Sequence, residues 1–132
     1  MNINLQEKKN IISFISNLSE IATKNKWISS YDPETDSLSI RKQTLSKDAR
    51  KKHINNEFAF YLNKKQDVEG VFMEYFLSNF VSHYKDFKEI VKELEKKQDK
   101  EEVIKFKNKK LIDKLEEIIV NSVSVENCRA NL

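Results

Sequence analysis

The chain has 132 residues, enough for one domain with a real core, and carries a formal net charge of +3 with 34% of its residues charged. Its single cysteine, Cys128, excludes an internal disulfide framework, and its single glycine excludes a glycine-rich phosphate loop. No stretch approaches the roughly 20 apolar residues of a membrane span and no signal-peptide pattern opens the chain, so the expectation is a cytoplasmic protein in a reducing compartment.

In chain order, residues 4–24 read as one amphipathic helix. Ile11, Phe14, Ile15, Leu18, Ile21 and Ala22 recur at spacings of three and four, and Asn2 or Asn4 offers an amino cap. The period then changes, and residues 27–76 read as a β-meander. Trp27–Tyr31 is a strand candidate running into Asp32-Pro33-Glu34-Thr35-Asp36. There Pro33 presets φ for a turn and Asp32 accepts backbone N–H groups. Ser37–Arg41 alternates polar and apolar, which completes a hairpin. Residues 43–55 lack a clear period and read as a connecting loop. Glu57–Leu62 alternates again, with Phe58, Phe60 and Leu62 on one face. Val68–Phe76 is bulky on both faces, which predicts a central strand covered on both sides. Gly70 within it predicts a bulge or the close approach of another backbone.

The helical period returns at Ser78, a candidate amino cap. Phe80, Tyr84, Phe87, Val91 and Leu94 form one stripe, so a helix is predicted over 78–97. Asp99 and Glu102 have capping-box spacing. A last helix is predicted over 100–120 and a loose tail over 121–132. The pattern as a whole is one α+β domain: an antiparallel sheet of about four strands, one amino-terminal helix and two carboxyl-terminal helices.

Tyr31-Asp32-Pro33-Glu34-Thr35-Asp36-Ser37-Leu38-Ser39-Ile40 resembles the opening of a small uncharacterised prokaryotic family. Gly70-Val71-Phe72-Met73-Glu74 resembles that family's later Gly-apolar-apolar-Glu segment. The resemblance implies a short β-meander. Because some members lie in loci resembling toxin–antitoxin pairs, it also implies partner binding.

Three kinds of site are weighed on residue chemistry. Between Arg41 and Gln66 eight bases face two acids, and Arg41, Lys42, Lys47, Arg50, Lys51 and Lys52 are the candidate phosphate contacts. Phe and Tyr in adjacent strands suggest base stacking, as in single-strand readers, although they alternate as core residues do. Second, the apolar residues Phe106, Leu111, Leu115, Ile118 and Ile119 of the last helix offer a stripe to a partner or a second copy. Third, Glu74 lies between Met73 and Tyr75 in an apolar strand, where desolvation favours a protonated carboxyl. His53, His83 and Cys128 have no metal-ligand spacing, so no metal and no cofactor are expected. The leading expectation is a non-enzymatic protein-interaction or regulatory module, antitoxin-like, acting as a homodimer or in a complex. A nucleic-acid-binding protein using loop 41–52 comes second, and a small hydrolase-like enzyme using Glu74 third.

Overall fold

The computed structural model describes residues 5–54, 57–96 and 102–130, with side chains of the last helix described as far as Ser122. The first helical segment divides into α1 (Leu5–Ile15) and α2 (Leu18–Lys24). The break falls where Ser16 Oγ donates to the Ile12 carbonyl (3.0 Å) and Asn17 Nδ2 donates to the Ser13 carbonyl (3.0 Å). Such local bonds compete with the helical ladder and bend it. The caps expected at Asn2 or Asn4 and at Asp99 fall outside the described residues.

Six strands follow in one antiparallel sheet: β1 (Ile28–Asp32), β2 (Ser37–Arg41), β3 (Arg50–His53), β4 (Phe58–Leu62), β5 (Val68–Met73) and β6 (Ile104–Phe106), in spatial order β3-β4-β5-β2-β1-β6. The fold is thus α+β with an antiparallel sheet, but six strands replace the expected four. The two extra strands are the edges. β3 lies in the expected loop, because Arg-Lys-Lys-His shows no apolar alternation. Pairing with β4 makes it a strand, and its charges suit an edge that must resist further pairing. β6 replaces the start of the expected last helix, because Ile104–Phe106 finds the open edge of β1.

One face of the sheet is covered. Tyr31, Leu38, Ile40, Phe58, Phe60, Leu62, Val71 and Met73 point to the helices and are buried in a single core with α1, α2 and the later helices. Phe14 stacks on Trp27 at 5.4 Å and meets Phe60 edge-on at 6.0 Å. At the other end Phe76 packs on Tyr31, and Phe80 and Phe87 pack on Phe76 and on each other.

β5 stops at Met73, so Phe76 is not part of the strand and points into the core. A π-helical turn spans Phe76–Phe80, followed by the short helices α3 (Val81–His83), α4 (Phe87–Ile90) and α5 (Lys92–Lys96). The expected helix over 78–97 is therefore interrupted. Tyr84 takes an extended conformation between α3 and α4, and its ring packs on Phe80 at 5.1 Å. The last helix, α6, runs from Lys109 to Ala130, so the backbone of the expected tail is helical as far as residue 130. It packs on α1, α2 and α4. No described helix is long and apolar enough to cross a membrane.

Candidate nucleic-acid interface

The strand register places alternate residues on the face away from the helices. One row across it reads Lys51, Tyr61, Gly70, Arg41; the next reads His53, Ala59, Phe72, Ser39, Ser30, Lys105. These rows hold three permanent cations, one histidine, two large aromatics and no acid. The nearest acids flank the rows at both ends: the Asp32–Asp36 turn and Glu74 at one, and Asp67 in the β4–β5 turn at the other. Phe72 is half-buried, and Lys51 Nζ sits 3.6 Å from its ring centroid. Tyr61 meets Phe72 edge-on at 6.3 Å. Ala59, between them and His53, is fully covered by its neighbours. The two-sided cover expected for β5 is absent: Val71 and Met73 face the core, and Phe72 faces outward beneath a lysine stem.

Gly70 makes this face tight. A Cβ there would lie 2.3 Å from Arg41 Cβ and 2.9 Å from the Ile40 carbonyl oxygen. The missing side chain lets Arg41 lie against the strand, near Tyr61. Burial raises the Tyr61 phenol above its ordinary range, and the charge of Arg41 offsets part of that rise. The register shifts beside it, leaving Glu69 as the extra residue of a bulge.

Glu69 organises the basic segment. It is fully buried and accepts bonds from the Ser46 N–H (2.8 Å), Ser46 Oγ (2.5 Å) and Asn63 Nδ2 (2.8 Å), with Lys42 Nζ at 3.9 Å. Burial opposes its charge, but the bonds from Ser46 and Asn63 and the charge of Lys42 outweigh burial and hold its carboxyl below the ordinary range. The loop between β2 and β3 is therefore pinned to β5.

The six basic residues singled out in the sequence are dispersed by this arrangement. Arg41 and Lys51 stand on the open face. Lys42 and Lys47 are exposed in the pinned loop, with Lys42 near Glu69. Arg50 and Lys52 have the opposite strand parity, and Lys52 turns to the helix side, where it bonds Glu7 of α1 at 2.5 Å. Tyr61 and Phe72, aromatics of the adjacent strands, complete the face with His53 and Lys105, which lie outside the six basic candidates. The parity that buries Phe60 and Val71 assigns Tyr61 and Phe72 outward. His53 and Lys105 lie on strands that carry no periodic signal.

Of the stripe offered to a partner, Leu111, Leu115, Ile118 and Ile119 are buried against this chain's own core, and Phe106 is half-buried in β6. Glu74 lies past the end of β5, half-exposed and followed by a 60% exposed Tyr75, not within an apolar strand. A scan against protein-family models finds no match, and no curated protein or solved structure matches the chain either.

Proposed function

We propose that the protein is a non-enzymatic binding module that takes single-stranded nucleic acid on the open face of its sheet. The observation that carries this reading is the pairing of outward-facing Tyr61 and Phe72 with Arg41, Lys51, His53 and Lys105, free of acids across both rows. Six strands spaced by about 4.8 Å make a face roughly 24 Å wide. That width suits about two or three stacked bases, the number that sheet-based RNA readers hold. Lys51 is exposed, and a cation–π contact at such a site contributes only about 0.5–1 kcal/mol. It can therefore exchange the Phe72 ring for a backbone phosphate while a base stacks on the ring.

Fluorescence anisotropy with labelled single-stranded DNA and RNA at low salt tests this. Binding should weaken with salt along a log–log slope of roughly −2, from about −0.7 for each of the three permanent cations. The Arg41→Ala/Lys51→Ala variant should flatten that slope, and Tyr61→Ala/Phe72→Ala should cost about 1–3 kcal/mol per stacked base. Absence of binding to any strand at low salt retires the proposal.

A further inference from the structure

A second site lies on the covered side of the sheet, where the end of α2, strand β1 and the start of α6 line a half-open cavity of about 240 Å³. Thr23, Lys26, Trp27, Ser29, Lys107 and Lys109 are among its lining residues, and no carboxylate lines it. Two anchored turns supply the three lysines. Lys26 adopts φ 53° in the turn that closes α2, where the Trp27 N–H donates to the Ala22 carbonyl at 2.9 Å. Lys107 and Lys109 flank Asn108, whose Oδ1 accepts the Leu111 N–H at 3.1 Å and whose Nδ2 reaches the Ile90 carbonyl at 3.5 Å. The floor includes Ser29, which is 2% exposed. Its hydroxyl can both donate and accept a hydrogen bond. Trp27 forms the apolar wall.

We infer that this cavity binds a compact organic phosphate, with the phosphate among Lys26, Lys107 and Lys109, a ligand oxygen on the Ser29 hydroxyl, and the organic body against Trp27. Three ammonium groups match the charge of −1.5 to −2 that a phosphate monoester carries near neutral pH. The volume equals roughly eight waters at about 30 Å³ each. That holds a phosphate and a small sugar-sized body.

Trp27 is the only tryptophan in the chain, so its fluorescence reports on the cavity directly. Glycerol 3-phosphate, ribose 5-phosphate and inorganic phosphate are titrated, with citrate as the carboxylate arm. A saturable change with either sugar-sized phosphate is expected. The charge reversals Lys107→Glu/Lys109→Glu should weaken it roughly tenfold or more, and Ser29→Ala about threefold to tenfold, with circular dichroism verifying the fold of each variant. The Tyr61→Ala/Phe72→Ala variant should bind as the wild type does, which separates this site from the open sheet face. Four outcomes overturn the inference. They are no saturable change at concentrations up to roughly 10 mM, binding of citrate alone, a response that survives charge reversal in folded protein, and loss of the response in the sheet-face variant.

Discussion

Asp36 shows how much one residue can organise. Its backbone sits in the left-handed region at φ 53°, a conformation that Asp tolerates better than most residues. Its Oδ1 accepts from Tyr31 OH (2.6 Å) and the Leu77 N–H (2.9 Å), and its Oδ2 accepts from the Ser78 N–H (3.0 Å) and Ser78 Oγ (2.6 Å). Its carbonyl takes the Phe76 N–H at 2.8 Å. The β1–β2 turn thereby caps the π-helical turn, the capping role that sequence alone assigns to Ser78. Burial opposes the charge of Asp36, but the four side-chain-directed bonds outweigh it and hold the carboxyl below its ordinary range. The unfolded chain then binds more protons than the native state in the window between the lowered pKa and the ordinary one near 4. The stability contributed by Asp36 is complete above that window and is lost as pH falls through it, and Glu69 acts in the same direction. Urea melts should show a falling midpoint below about pH 4. Asp36→Asn should lower stability by about 1–2 kcal/mol at pH 7 and make the acid dependence shallower. An unchanged acid slope would show that the Asp36 carboxylate is not held by these bonds.

At the scale of the element, β5 divides its side chains between two environments. Phe72 faces outward and is half-buried, whereas Phe76, three residues beyond Met73, is fully buried and stacked on Phe80 at 5.8 Å. Phe76→Ala should cost about 3–5 kcal/mol, as core aromatic truncations do. Phe72→Ala should cost only about 1 kcal/mol, because solvent already reaches its ring and the lost contacts are those with Lys51 and Tyr61. Paired urea melts measure both. Equal losses would mean that the outer face of β5 is covered. The parity of β5 is legible in the sequence, since Val71 and Met73 alternate with Phe72. Whether one face or both are covered is not, because cover comes from elements distant in the chain.

For the whole molecule, the balance of apolar surface decides association. The stripe Leu111, Leu115, Ile118 and Ile119 is consumed by contacts of α6 with α1, α2 and α4. Among the described residues the large hydrophobics that remain exposed are Leu5, Tyr75 and Val103, singly placed residues of the kind that need no partner. Light scattering during size exclusion should therefore give a monomer near 15.6 kDa. A stable dimer would place a second copy on a surface other than the α6 stripe and revive the self-association reading. The one α+β core, the two hairpins Ile28–Arg41 and Phe58–Met73, and the apolar side of α6 are readable from periodicity, because each depends on neighbours in sequence and on which side water is excluded. The edge strands β3 and β6, the break at Ser16–Asn17, the bond from Lys52 to Glu7 and the pinning of the basic loop by Glu69 are not. Each depends on a partner between 4 and about 75 residues away, and residues such as Arg-Lys-Lys-His favour no conformation until a paired edge satisfies their backbone. Sequence by itself determined which residues must leave water; only the tertiary structure decided which aromatics stayed beside it and which cations they met, because strand pairing sets register and register sets the face.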